Sequence, residues 1–264
     1  MMVSIIIPTF NRLELLKRAI ASAQDQTYKD YELIIIDDAS TDGTKEYLQT
    51  LPHKIITLKR NEGVSASRNA GIKASIGRFI AFLDSDDSWD SQKLEHQVAY
   101  HLANSEVRFS FGSERWVRLG KEVSVPAKYS QPLKADFHEL LEFTYIGPSS
   151  VMLEKSLFDE VGLFDEALPA CEDFDLWLRV AKITTLYRAA GVTITKYAGH
   201  EDQLSNLLAL DRYRLVALMK HLECCSDEVV PIISKKLSLL EKGATKHGNV
   251  EFLEFCKRIN DSLL

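Results

Sequence analysis

Three carboxylate clusters in this chain stand where chemistry can be done. Asp37 and Asp38 close the apolar run Ile34-Ile-Ile36 and open the turn Ala39-Ser-Thr-Asp-Gly-Thr44. Asp84, Asp86 and Asp87 follow Phe79-Ile-Ala-Phe-Leu83 in the same manner. Glu172, Asp173 and Asp175 precede the amphipathic run Leu176-Trp-Leu-Arg-Val180. Two strands ending in acids define a crevice of the kind in which open α/β sheets bind ligands. Carboxylates there suit ribose hydroxyls and a hard divalent cation. The combination points to an enzyme that handles a nucleotide-activated substrate.

Each cluster carries a chemical expectation and a plainer one. Asp38 is the expected contact to a base or ribose, while Asp37 or Asp42 can cap the turn through Ser40 and Gly43. In an extended segment Asp84 and Asp86 project to the same side. A Mg²⁺ or Mn²⁺ bridging two phosphates needs only one or two such ligands, and it neutralises charge on a diphosphate leaving group. The plainer account is an acidic turn before a helix near Ser91, capped by Asp90 or Ser91. In the third cluster a carboxylate is the natural general base for a sugar hydroxyl attacking an anomeric carbon. That chemistry parallels inverting glycoside hydrolysis with a hydroxyl replacing water. The alternative is acids favoured by a helix dipole. His200 either completes a metal shell or holds a diphosphate, or it is a surface or core-edge histidine. Arg68, inside a small-residue helix, reaches either a nucleotide or solvent. No serine or cysteine sits in a nucleophile motif.

The elements that must position these groups can be read along the chain. Val3–Pro8, Tyr31–Ile36, Lys54–Leu58 and Arg78–Leu83 are strand candidates. Arg12–Gln24, with Asn11 as its cap, is a helix with Leu13, Leu16, Ile20 and Ala23 on one face. Ser65–Ile76 is a helix whose Ala66, Ala70 and Ala74 permit close packing on a sheet. This alternation favours βαβ units and a mostly parallel sheet with helices on both faces. Phe109–Phe111, Trp116–Leu119 and Ser150–Leu153 add strand candidates, and Phe174–Lys182 a helix. Beyond Ser205 the pattern turns helical at 207–222, 229–241 and 250–259, with Gly243 and Gly248 bracketing a break. The expected division is residues 1–205 and a helical extension, 206–264, that either packs on the core or forms an oligomer interface.

Composition narrows the class. The 264 residues carry a formal charge of −6 and are 45% hydrophobic, which supports a core and argues against general nucleic-acid binding. Four cysteines, two adjacent and none in a CxxC pair, fit a reducing cytoplasmic setting. Neither a signal peptide nor a run of eighteen apolar residues is evident, which leaves peripheral membrane association open.

The ordered set of motifs resembles the family 2 glycosyltransferases with the GT-A (nucleotide-diphospho-sugar transferase) fold. The resemblance covers about residues 3–205. It is carried by Val3-Ser-Ile-Ile-Ile-Pro-Thr-Phe-Asn-Arg12, Asp37-Asp-Ala-Ser-Thr-Asp-Gly-Thr44, Asn61-Glu-Gly-Val-Ser-Ala-Ser-Arg-Asn-Ala-Gly71, Leu83-Asp-Ser-Asp-Asp87 and Glu172-Asp-Phe-Asp-Leu-Trp-Leu-Arg179. It implies that Thr9 lines the base pocket, Asp38 contacts the base and Arg68 lies against the nucleotide. It further implies that Asp84 supports the ribose or metal network, Asp86 ligates Mn²⁺ or Mg²⁺, and Asp173 is the catalytic base. His200 falls where some relatives place a metal- or phosphate-binding histidine. The implied donor is a UDP-sugar, with dTDP- and GDP-sugars open. The implied acceptor is a sugar or lipid-linked glycan, met at the inner face of the cytoplasmic membrane. A nucleotidyltransferase would need a glycine- and basic-rich loop, which Pro8-Thr-Phe-Asn-Arg12 is not. A noncatalytic sugar-nucleotide sensor would not need the Asp173 cluster.

Overall fold

Alternation along the central strands sets the layers. The structure, a computed structural model, describes residues 2–126, 129–142, 145–198 and 210–263. In β1 (Val3–Thr9), Val3, Ile5 and Ile7 join one apolar cluster and Ile6 the other. In β2 (Tyr31–Asp37), Leu33 and Ile35 share the first cluster, and Ile34 and Ile36 the second. Successive side chains point to opposite faces, so a strand covered on both faces reads as one unbroken apolar run. Helix α1 (Leu13–Gln24) covers one face with Leu16, Ala19, Ile20 and Ala23. Helix α3 (Val64–Ala74) lies on the other. It packs tightly at Gly71, where an added Cβ would stand 2.5 Å from Ile6 Cγ2 and 3.0 Å from Ile36 Cδ1. The glycine, more than the expected alanine repeat, sets that contact; Ala70 and Ala74 are only partly buried.

With β3 (Lys54–Thr57) and β4 (Phe79–Phe82), the first half forms a parallel sheet in the order β3-β2-β1-β4. The sheet continues through β9 (Met152–Glu154), β6 (Phe109–Arg118), β10 (Leu186–Ala198) and β5 (Asp87–Trp89). There β9 runs antiparallel to both neighbours, β6 and β10 are parallel, and β5 is antiparallel to β10. Two short strands, β7 (Lys121–Val123) and β8 (Lys134–Ala135), pair with β6 and β10. The remaining helices of this part are α2 (Thr44–Leu48), α4 (Lys93–Ala103), α5 (Phe137–Leu140), α6 (Leu157–Val161) and α7 (Glu172–Ala181).

Several local expectations need correction. Asn11 does not cap α1: its side chain accepts the Thr41 N–H at 2.7 Å, and Asp42 accepts the Leu13 N–H at 3.0 Å. The two strand candidates at 109–119 are one strand, and the thirteen-residue β10 has no counterpart in the sequence reading.

The tail forms α8 (Leu210–Met219), α9 (Leu222–His247, with non-helical backbone at Cys225) and α10 (Val250–Asp261). Gly243 stays helical, and the break is at Gly248, whose φ of 65° suits a left-handed helix end. Leu215, Leu218, Val229, Ile233, Leu237 and Phe255 share one core with Phe174 and Trp177 of α7. Each such side chain removed from water contributes roughly 1.5–3 kcal/mol. Lys220 adds ion pairs to Asp165 at 2.6 Å and to buried Asp175 at 2.7 Å. Packing against the core is thus the arrangement the described residues show.

Candidate active site

The C-terminal ends of β1, β2 and β4 border a cavity of about 980 Å³. That is the upper end of the usual range for ligand pockets, large enough for two substrates side by side. Thr9, Asp38, Arg68, Asp84, Asp86 and Asp173 all line it. The topology therefore gathers six of the seven expected residues; His200 lies outside the described residues.

At the end of β2 the acids divide their work. Asp37 accepts the Ser40 N–H at 3.0 Å, and Asp42 accepts the Thr44 N–H at 3.2 Å and hydroxyl at 2.6 Å. The turn is thus closed without Asp38. Asp38 instead accepts the Glu62 and Gly63 N–H groups at 2.7 and 2.8 Å, just ahead of α3. Burial raises its pKa, and the two amides oppose that shift. Each carboxylate oxygen keeps a lone pair for a ligand N–H or hydroxyl.

Arg68 spans the cavity floor. Its guanidinium donates to Asp84 at 2.7 Å and to Glu172 at 2.6 Å, and its side chain is 3% exposed. Burial acts to lower its pKa, but the two carboxylates outweigh burial and hold it above the usual arginine value. One cation therefore joins the acids after β4 to those at the start of α7.

Asp84 and Asp86 lie in a tight turn rather than an extended segment, since the Asp87 N–H donates to the Asp84 carbonyl at 3.0 Å. Asp86 pairs with Arg12 at 3.3 Å, and Arg18 holds its carbonyl at 2.7 Å. Asp87 turns inward to accept the Ser149 hydroxyl at 2.6 Å; burial, then Asp86, raises its pKa well above the carboxylate norm. Among the described residues no group of three or more His, Cys, Asp or Glu is placed to hold a metal. The acids at this turn still fit a divalent cation that takes one or two carboxylates and fills its shell from phosphate and water. Asp86 fits best, since it lines the cavity with a side chain 15% exposed and already draws a cation.

The α7 cluster divides in the same way. Glu172 is committed to Arg68. Asp175 is fully buried between Arg179 and Lys220, each at 2.7 Å. Asp173 lines the cavity and, among the described residues, has no cation at bonding distance; its Oδ1 accepts the Phe174 N–H at 2.7 Å. Burial, then the neighbouring charge of Glu172, pushes its carboxyl up to about 7. A proton acceptor poised near neutrality is what general base catalysis requires.

Sequence reading missed one further group. Glu114 on β6 pairs with Lys196 on β10 at 2.9 Å and accepts the indole N–H of Trp116 at 2.9 Å; all three line the cavity. The β-branched run Val192-Thr-Ile-Thr195 was the available signal for the strand that carries Lys196. Buried Thr9 Oγ1, Ser65 Oγ and Ser67 Oγ also lack hydrogen-bond partners among the described residues, and all belong to cavity-lining residues.

A parallel α/β half continued by antiparallel strands, with an acidic cavity over the strand ends, is the GT-A, Rossmann-like architecture of nucleotide-sugar transferases. The chain belongs to glycosyl transferase family 2, whose family model matches residues 4–159. It is 32% identical over 209 residues to the Escherichia coli UDP-Glc:alpha-D-GlcNAc-diphosphoundecaprenol beta-1,3-glucosyltransferase WfgD, covering 78% of this chain and 80% of that protein. The E. coli enzyme WfaP, of the same description, is also 32% identical over 209 residues, covering 77% of this chain and 80% of its own. The crystal structure of S. aureus TarS 1-349 in complex with UDP-GlcNAc superposes with a TM-score of 0.77 at 18% identity, over 100% of this chain and 84% of that one. That last likeness is one of fold. The protein is therefore a nucleotide-sugar glycosyltransferase.

Proposed function

We propose that the protein transfers a sugar, with inversion, from a UDP-sugar to a hydroxyl of a lipid-linked glycan during surface polysaccharide or glycoconjugate synthesis. Two relatives named for acting on a diphosphoundecaprenol-linked sugar support the acceptor class. Among the described residues no helix is long and apolar enough to cross a membrane; the proposed setting for such an acceptor is the cytoplasmic face of the membrane, reached by peripheral association.

The observation that carries this reading is the isolation of Asp173. Of three clustered acids it alone lines the cavity, without a cation at bonding distance among the described residues and with its proton affinity near neutrality. Asp173 takes the proton of the acceptor hydroxyl as that oxygen bonds to the anomeric carbon. The nucleoside diphosphate departs from the opposite face, which inverts the configuration. Thr9, Asp38 and Arg68 face the nucleoside, and Asp84 supports the ribose or the metal network. Asp86, with His200 as a second candidate, would hold Mn²⁺ or Mg²⁺, which supplies charge neutralisation at the diphosphate. The walls fix both substrates and reduce the orientational cost.

The test compares Asp173→Asn with Glu172→Gln and Asp175→Asn. Asp173→Asn should lower turnover by about 10²–10⁴ while donor affinity changes little. The base works deprotonated, so wild-type kcat/KM should fall as pH drops below about 7. Near-normal transfer by Asp173→Asn, with collapse confined to either neighbour, removes it from the role.

A further inference from the structure

We propose that Arg214, on the first helix of the C-terminal extension, binds the phosphate groups of the acceptor. This rests on the reading of the acceptor as a diphosphate-linked sugar.

The cavity is poor in free positive charge. Among the described residues eight carboxylates and four cations line it. Arg12 is held by Asp86, Arg68 by Asp84 and Glu172, and Lys196 by Glu114. All of those carboxylates are cavity-lining or adjoin the donor turn and the base. A second anionic substrate would be repelled here unless another cation met it.

Arg214 differs from the other three. Its partner Asp211, at 3.0 Å, lies one turn away on the same helix and is shared with Lys236 at 3.5 Å. One carboxylate between two cations leaves positive charge uncompensated. The Arg214 Nε–H is buried and has no acceptor among the described residues. The Arg214 side chain nevertheless keeps 22% exposure at the cavity, and a guanidinium there can meet a phosphate oxygen with paired donors.

Its position places this charge on the acceptor side. Leu210, one turn before Arg214, lines the cavity with it, and the Leu210 carbonyl accepts from the Cys171 thiol at 3.6 Å. Cys171 immediately precedes Glu172 and Asp173 at the start of α7. Burial, then Asp173, pushes the Cys171 thiol up to about 12, while Arg214 opposes the shift, so both charges reach one atom. Arg214 therefore stands beside the helix that carries the base. It also lies beyond residue 159, where the family match ends. The extension, not the shared fold, would then set the preference for a phosphorylated acceptor.

The test has a binding arm and a kinetic arm. With the nucleotide site saturated by UDP and Mg²⁺, geranyl diphosphate is titrated calorimetrically into wild type, Arg214→Gln and Arg214→Lys, with geraniol as the uncharged control. Wild type should bind the diphosphate, Arg214→Gln should weaken it by about 10- to 100-fold, and Arg214→Lys should recover part of the loss. Asp211→Asn, which keeps the arginine and removes its counter-ion, should tighten binding and covers the case in which Arg214→Gln folds poorly. In the kinetic arm, hexosyl and N-acetylhexosaminyl diphosphates on a short alkyl chain are compared with the matching neutral alkyl glycosides. The rise in acceptor KM should be confined to the diphosphates. Equal losses for the neutral ligands, diphosphate binding that ignores Arg214 and Asp211, or a rise in donor KM instead would overturn the assignment. If no acceptor in the set is glycosylated by wild type, the diphosphate-linked acceptor reading fails, and the titration still decides Arg214.

Discussion

Replacing Arg68 with methionine should cost both stability and basicity control, and the two costs can be measured separately. The substitution keeps bulk but strands Glu172 at 6% side-chain exposure and Asp84 at 27%. Removing one partner of a buried pair costs about 3–5 kcal/mol, because the other charge stays behind unpaired. At about 2–4 °C per kcal/mol for a domain of this size, Tm should fall by roughly 6–20 °C. Arg68 also lowers the pKa of Asp173 against burial and Glu172. Without it the acidic limb of kcat/KM should move upward from about 7, leaving less deprotonated base at neutral pH. Glu172→Gln removes the charge that raises Asp173 and should move the limb the other way. The double variant should lose less stability than the two singles together, with a coupling of about 0.5–3 kcal/mol. Thermal melts and pH–rate profiles of the four proteins complete the cycle. A Tm for Arg68→Met within about 2 °C of wild type, together with an unmoved limb, would refute the strut.

Two further outcomes follow from the geometry. Asp86→Asn should leave the fold intact and weaken turnover across a Mn²⁺ titration; activity unchanged at every Mn²⁺ concentration would exclude the metal role. Lys93 is fully buried, donates to the Val151 carbonyl at 3.2 Å and stands over the Trp89 ring, and burial holds its pKa well below the lysine norm. The native state therefore binds fewer protons than the unfolded chain, and stability should rise with pH toward the ordinary value of 10.5. Lys93→Met should raise Tm at pH 7 by an amount that shrinks toward that value; a gain independent of pH would sink this account.

The limits of sequence reading here follow from distance along the chain. Acids after β2 and β4 were legible because an apolar run and its terminal carboxylates are neighbours in sequence. The partner of each acid was not. Asp42 caps a helix twenty-nine residues upstream, and Arg68 reaches Glu172 across 104. β10 escaped because Arg188-Ala-Ala-Gly191 breaks the alternation: its register against β6 shifts between Arg188 and Thr193, and Gly191 has a φ of 73°. Lys196 was lost with the strand, and Glu114 and Trp116 had no visible reason to belong to the site. Composition can locate carboxylates, but their roles depend on which have counter-ions. Glu172 and Asp175 are spent on Arg68, Arg179 and Lys220, and this pairing leaves Asp173, among the described residues, at the cavity wall without a cation at bonding distance. The same logic separates Asp38 from Asp37 at β2, where one acid closes the turn and the other keeps lone pairs toward the cavity.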